Sequence, residues 1–194
     1  MYESMDVWDE LMPGEDGALI SSQVTDNYDL LYGGWPEDYD EVVLFVDENN
    51  EVSDLMLYAL GLLSHDSMEI TLNALQNGEE TDSERESWTY EELCGTTFKL
   101  ILPSERYQYD AGSGTYADLS ETKAGLELLY NSDDVGITLK VVGIARSNGD
   151  STMDSSSMLA GSVGYTSALT TYAIETVADS DIVKAQLDDP DTDV

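Results

Sequence analysis

The spacing of apolar residues predicts strands in four segments of the chain. Residues 41–47 form a near-continuous apolar run of strand length with β-branched character, and residues 137–145 form a second strong run. Residues 97–102 alternate well enough for a third strand, and 18–24 is a weaker candidate. A short continuous apolar run is typical of a strand covered on both faces. We therefore expect 41–47 to be a buried strand.

Helical spacing and capping signals account for most of the remaining chain. Thr89 stands three residues before Glu92, which is the spacing of a capping box. Near the C-terminus, four apolar residues fall on one face of a helix. Asp179 or Asp181 can cap a second helix that follows it. Helices are predicted at 5–12, 55–63, 67–76 and 121–130. A further helix is predicted after Gly164, with its apolar face at Leu169, Tyr172, Ala173 and Val177. The last predicted helix runs through Ile182, Val183 and Gln186.

Connecting segments carry the usual turn residues. Residues 78–87 are polar and acidic and are predicted to be an exposed loop, as is the Ser-, Asp- and Gly-rich segment 146–158. Residues 107–116 contain Gly-Ser-Gly and are predicted to form a hairpin turn or loop. Strands mixed with helices without strict alternation indicate an α+β fold, as one domain or two small lobes.

The net charge of the chain limits the classes of molecule that it can bind. The chain of 194 residues carries 41 acidic and 7 basic side chains, for a net charge of −34. Such a field repels phosphate backbones and anionic lipids and attracts cationic peptides or metal ions, so we expect no nucleic-acid partner. The hydrophobic content of 41% is sufficient for a core, and the charge suits a salty or extracellular setting. One cysteine allows no disulfide within the chain, and no apolar run reaches membrane-helix length.

Candidate nucleophiles lack the partners that their chemistry needs. The stretch AGSVG around Ser162 matches a relaxed nucleophile elbow, but the one histidine, His65, lies far upstream, so we interpret this stretch as a turn before a helix. Cys94 and His65 could form a nucleophile–base pair only if the fold brings them together. We favour a small buried hydrophobe for Cys94 and a solvated or capping role for His65. The sequence predicts no catalytic residue.

Metal and cofactor patterns are equally incomplete. Asp47, Asn49 and Glu51 resemble the first half of a calcium loop, but Val52 replaces the required glycine and Tyr58 the final glutamate. A similar spacing recurs at Asp189, Asp191 and Asp193, where the chain ends. There is no glycine-rich phosphate loop. We predict no metal-binding or cofactor-binding residue and no cofactor.

Aromatic residues are the remaining candidates for recognition. Three tryptophans, Trp8, Trp35 and Trp88, accompany twelve tyrosines. They could form a binding surface. A role in core packing is the favoured interpretation.

Four stretches, taken in order, resemble one known family. They are GGWPEDYDEVVLFVDENNEVSDLMLYALGL, YEELCGTTFKLIL, LKVVGIARSNGD and GYTSALTTYAIETVADSDIVKAQ. They are similar to the extracytoplasmic, periplasmic-core domain of MacB/FtsX-like ABC transporter permeases, in the version found in Gram-positive bacteria. The resemblance covers about residues 28–193. At Cys94 the family tends to have an aliphatic residue.

The resemblance implies a fold and a role. It implies a mixed β-sheet lobe at about 33–145, with 41–47 as its central strand, and a membrane-proximal α/β lobe from 1–32 and 146–194. It implies a non-catalytic extracellular domain, excised from a multi-pass permease, that transmits ATP-driven motion for export or mechanotransmission. The implied partners are an ABC ATPase, a second permease copy and an extracellular adaptor or peptide substrate. No site residue carries over.

Two other functions are compatible with the sequence. One is a free-standing secreted or surface binding module, which a parent gene with a signal peptide and no further apolar segment would favour. The other is an acid-rich cytoplasmic enzyme of a halophile, which would lose its stability at low salt. We expect an extracellular permease domain not to need molar salt.

Overall fold

The computed structural model describes residues 7–52, 56–57, 62, 87–149 and 159–190. These residues form a six-stranded mixed sheet with flanking helices, together with a separate two-stranded sheet. The predicted α+β fold is therefore confirmed.

The strands and helices are numbered here in chain order. The strands are β1 (Trp8–Glu10), β2 (Tyr28–Gly33), β3 (Glu41–Val46), β4 (Thr97–Leu100), β5 (Tyr107–Asp110), β6 (Thr115–Asp118), β7 (Ile137–Ser147) and β8 (Val163–Tyr165). The α-helices are α1 (Ser22–Asn27), α2 (Tyr90–Cys94), α3 (Lys123–Asn131), α4 (Ser167–Ala178) and α5 (Asp181–Asp188). Short 3-10 turns lie at Glu15–Gly17, Pro103–Arg106 and Leu119–Glu121.

The large sheet mixes parallel and antiparallel pairing. Its strand order is β1-β8-β3-β7-β2, with β4 also paired to β7. The pairs β1/β8 and β3/β7 are parallel, whereas β3/β8 and β2/β7 are antiparallel. Strand β3 therefore has a neighbour on each side. Residues 42–46 are also all buried, so both faces of the strand are covered, which explains its continuous apolar sequence.

The chain divides into two compact units. The described residues within Met1–Thr97 and Lys140–Ser167 belong to the first, and those within Phe98–Leu139 and Ala168–Val194 to the second. These boundaries differ from the lobes that the resemblance implies, 33–145 and 1–32 with 146–194, and the lobe assignment stays a prediction. Every helix that the described residues form is too short or too polar to span a bilayer.

Strand β3 forms the centre of the first unit. Val42, Val43, Leu44 and Phe45 are all fully buried. The Phe45 ring meets the Tyr28 ring edge-on, with 4.9 Å between centroids, and the Trp35 ring lies 6.4 Å away. Burial of each such side chain contributes about 1.5–3 kcal/mol. This strand is therefore the main hydrophobic anchor of the unit.

The second unit is held by long-range polar contacts as well as by apolar burial. The Lys99 ammonium donates to the carbonyl oxygens of Leu129 (3.1 Å), Tyr130 (3.0 Å) and Ser132 at the C-terminal end of α3. A cation at this end of a helix satisfies its free carbonyls and opposes its dipole. The Glu105 carboxylate accepts from the Gly136 amide at 2.9 Å.

Several local predictions are confirmed. The run predicted at 41–47 is β3, the run at 137–145 lies within β7, and the strand at 97–102 is the shorter β4. The segment 107–116 contains β5 and the hairpin turn and reaches into β6, and the helix at 121–130 is α3. The helices predicted after Gly164 are α4 and α5. The capping box is present, since Thr89 and Glu92 bond each other's backbone amides.

Two local predictions are wrong. Residues 5–12 do not form a helix, since residues 8–10 are strand β1. Residues 18–24 do not form a strand, since Ser21 caps helix α1 by accepting from the Gln23 amide. The turn expected around Ser162 is present, although strand β8 lies between it and helix α4. The predictions for 55–63, 67–76, 78–87 and 146–158 lie largely or wholly outside the described residues.

Candidate functional site

The Gly-Gly-Trp-Pro turn brings its backbone close to that of β7 in the first unit. Gly33 has a positive φ of 73°, and a Cβ built on it would lie 2.0 Å from the Val142 oxygen. A Cβ on Gly143 would lie 2.1 Å from the Gly34 oxygen. The Gly34 amide donates to the Val142 oxygen at 3.0 Å. These glycines let the turn cross β7 at contact distance, so their role is structural.

Strand β7 is irregular at this crossing. Along its pairing with β3, Val42 opposes Val141 and Val43 opposes Gly143, so Val142 is an extra residue. Such a bulge redirects the strand locally. The carbonyl oxygen of Val142 thereby becomes available to accept from the Gly34 amide. The turn and the bulge together set where β2 joins the sheet.

Ser162 is built into a turn. Its side chain is buried, at 4% exposure, and its Oγ donates to the Leu159 oxygen at 2.9 Å. Its own carbonyl oxygen accepts from the Phe45 amide at 2.9 Å. The hydroxyl is thus occupied by its own turn. His65, the base considered with it, lies outside the described residues.

Cys94 ends helix α2 in a half-buried position. Burial raises the pKa of its thiol, which keeps the sulfur protonated at neutral pH. This environment fits the predicted role of a small hydrophobe. Its pairing with His65 stays untested, because His65 is not among the described residues.

The acidic turn after β3 is closed by one carboxylate. Asp47 Oδ1 accepts from the amides of Asn49 (2.9 Å) and Glu51 (2.7 Å). Asn50 adopts a left-handed conformation with φ of 62°, and its side-chain oxygen accepts from Arg146 at 2.8 Å. Residues that seemed to form half of a calcium loop therefore stabilise a turn. Across the described part of the chain, no three His, Cys, Asp or Glu residues are grouped to hold a metal.

The remaining candidates are dispersed. Asp189 caps the C-terminal end of α5, while Asp191 and Asp193 lie outside the described residues. Trp35 packs against the core cluster of the first unit, in keeping with the favoured interpretation. Trp8 and Trp88 are half-buried at separate points of the chain.

The hairpin of β5 and β6 carries an aromatic surface that the sequence analysis did not single out. Tyr109 and Tyr116 face each other across the strands, with ring centroids 5.3 Å apart and planes inclined at 61°. Tyr107 lies two residues before Tyr109 and so shares its side of the hairpin. We call these three residues the tyrosine face. Tyr109 is 56% exposed. The pattern Tyr-x-Tyr, a glycine-rich turn and a further Tyr was the available sequence signal.

Asp110 fixes the turn of this hairpin. Its Oδ1 accepts from the Gly112 amide at 2.9 Å and its Oδ2 from the Ser113 hydroxyl at 3.0 Å. Its backbone oxygen accepts from the Gly114 amide at 2.8 Å. Gly114 has a φ of 78°, which glycine adopts without strain. The tyrosines are therefore presented by an ordered turn.

Acid should weaken the fold through three carboxylates that accept hydrogen bonds. Bonds from Thr89 hold the pKa of Glu92 below its ordinary value, bonds from Gly112 and Ser113 lower that of Asp110, and bonds from Ser120 lower that of Asp118. Each folded-state pKa lies below the unfolded one, so the stability that each group contributes is present above the unfolded pKa, about 4. It is lost as the pH falls through the folded pKa.

The measurement is the urea midpoint of the native protein and of Asp110→Asn between about pH 5 and pH 2. The amide keeps an acceptor oxygen but does not titrate in this range, so the variant should lose less stability than the native protein. Equal losses in the two proteins would show that the Asp110 bonds contribute nothing to the acid response.

Comparison with protein-family models, with curated proteins and with solved structures finds no match for this chain.

Proposed function

We propose that this chain is the extracellular domain of an ABC transporter permease of the MacB/FtsX-like kind. In this role it performs no catalysis of its own. It couples ATP hydrolysis in the cytoplasm to export, or to mechanical work outside the membrane. Its partners are an ABC ATPase, a second copy of the permease and an extracellular adaptor or peptide substrate. The parent protein is multi-pass and the domain lies on the outer face of the cell membrane.

The proposal is supported by where the four family-like stretches fall in the fold. The Gly-Gly-Trp-Pro stretch forms the crossing turn and then β3, and the Thr-Phe-Lys-Leu stretch is β4. The third stretch lies in β7, and the fourth spans β8 and α4. All four contribute strands to one mixed sheet. The strands from these stretches thus pair within one sheet, as a shared fold would require.

The crossing turn adds a specific point of support. The resemblance places the two glycines and the proline at the entry to a central strand. In the structure, Gly33 and Gly34 make the close contact with β7, and Pro36 is buried just before β3 begins. These residue types are common in turns, but here the turn must also pass close to the backbone of β7.

A test is to isolate the native protein with its partners. An antibody raised to this chain is used on detergent-solubilised membranes and on the soluble fraction of the source cells. We expect it to precipitate a membrane protein well above 21.3 kDa, together with an ATPase whose ATP hydrolysis is measured in the precipitate. A precipitated protein of about this mass without associated ATP hydrolysis would contradict the proposal and favour a free-standing binding module.

A further inference from the structure

We propose that the tyrosine face of the β5–β6 hairpin, Tyr107, Tyr109 and Tyr116, is a docking surface for an arginine- or lysine-bearing segment of a peptide or protein. The inference concerns this surface alone and does not rest on the permease assignment. Its basis is an aromatic pair with one exposed ring, an ordered support and a local excess of carboxylates.

One ring of the aromatic pair is exposed and the other is half-buried. Tyr109 is 56% exposed although it contacts Tyr116 edge-to-face, and no hydrogen bond joins either hydroxyl to another described residue. Large aromatic side chains bury far more area than other residues and dominate binding energetics. The π-face of a tyrosine attracts a cation placed within about 6 Å of the ring centre.

The support is ordered before any partner binds. Asp110 ties the turn through Gly112, Ser113 and Gly114, as described above. At the other end of the hairpin, Asp118 accepts from the amide and hydroxyl of Ser120, at 2.8 Å and 2.6 Å. A surface held in this way loses little conformational freedom on binding, which favours affinity.

Charge decides between cationic and other occupants. Residues 98–139 contain seven carboxylates and three basic side chains. Lys99 already binds the end of α3, and Lys123 lies 4.0 Å from Glu127. Hydrogen bonds from the Ser120 hydroxyl and amide, with a smaller contribution from nearby Arg106, hold the pKa of Asp118 below its ordinary value, so this carboxylate stays ionised on the tyrosine side of the hairpin. With a net charge of −34 for the whole chain, a basic segment is attracted to the surface and an anionic one is repelled.

The test uses the full chain and a defined probe, the peptide acetyl-(Gly-Arg)₃-Gly-amide. Its affinity is measured by calorimetry at about 0.15 M NaCl, where distant charges are largely screened. The same peptide with citrulline for arginine is the uncharged control. We expect the arginine peptide to bind and the citrulline peptide to bind far more weakly. Failure of the arginine peptide to bind would overturn the proposal.

Variants separate the aromatic surface from the general negative charge. The double variant Tyr109→Leu/Tyr116→Leu should weaken binding by about 5- to 30-fold, because the cation–π contacts that the two rings offer are lost. Tyr109→Phe/Tyr116→Phe keeps the rings and should bind as the native protein does. Tyr130→Leu, at an exposed tyrosine on α3 (69% exposed), is the matched control and should change nothing. Equal weakening by the Leu double variant and by Tyr130→Leu would overturn the proposal.

NMR signals of the tyrosine rings report peptide binding in the native protein, so this measurement does not depend on the Leu double variant being folded. In the native protein with ¹³C-labelled tyrosine, the Tyr109 and Tyr116 signals, assigned from single Phe variants, should shift first as the peptide is added. Shifts that begin at Tyr130, or that spread evenly over the tyrosines, would show that the peptide binds by charge alone.

Discussion

Replacing Leu44 with aspartate should abolish the folded state. Leu44 is fully buried in β3, between β7 and β8. The variant would bury a carboxylate without a partner on one face of the sheet, or force it to take up a proton there. Either outcome costs about 4 kcal/mol or more, a large part of the 5–15 kcal/mol that stabilises a domain. The expected result is a chain without a cooperative thermal transition and with an unfolded circular dichroism spectrum.

The matched control is Leu128→Asp. Leu128 lies on α3 with 55% of its surface exposed, so its carboxylate stays in water. The free energy of unfolding should change by about 1 kcal/mol or less. If Leu44→Asp melts like the native protein, β3 is not the centre of the sheet.

Gly33→Ala should be the second most damaging change. The new methyl carbon would lie 2.0 Å from the Val142 oxygen, at a φ of 73° that side chains rarely adopt. Backbone on both sides must move, and the Gly34–Val142 hydrogen bond is strained with it. We expect a loss of about 2–4 kcal/mol in the free energy of unfolding, measured by urea denaturation.

The neighbouring glycine provides the control for this prediction. A Cβ on Gly34 would meet no atom within 4 Å, and its φ is not positive. Gly34→Ala should therefore leave the urea midpoint nearly unchanged. Comparable losses for the two variants would mean that the turn does not cross β7 at the observed distance.

Elements whose signal is local could be predicted from the sequence. The apolar run of β3, the alternation within β7 and the paired Thr89 and Glu92 all encode their structure in adjacent residues. The hairpin at 107–116 was predicted for the same reason, because its glycine-rich turn lies between its two strands.

Elements that depend on distant partners could not be predicted. Strand β1 has three residues, and its pairing with β8 joins Trp8 to Val163 across most of the chain. Strand β8 is equally short and follows a turn, so local signals favoured the turn. At α1 the local signal was present, since Ser21 is a good N-cap residue, but the apolar residues before it suggested a strand.

The candidate functional surfaces, like the strands and helices, could be predicted only in part from the sequence. Asp47 looked like a metal ligand because spacing alone does not reveal which amides a carboxylate accepts. The tyrosine face was missed because Tyr109 and Tyr116 become neighbours only when the hairpin closes. The register of the two strands, rather than the type of residue, creates the surface.

The location of the native protein decides whether this chain is an extracellular permease domain. Intact source cells are treated with protease, fractionated and blotted with an antibody raised to this chain. We expect a membrane-bound band much larger than 21.3 kDa that the protease cuts from outside. A band of about this mass, protected inside the cell and recovered in the soluble fraction, would contradict it.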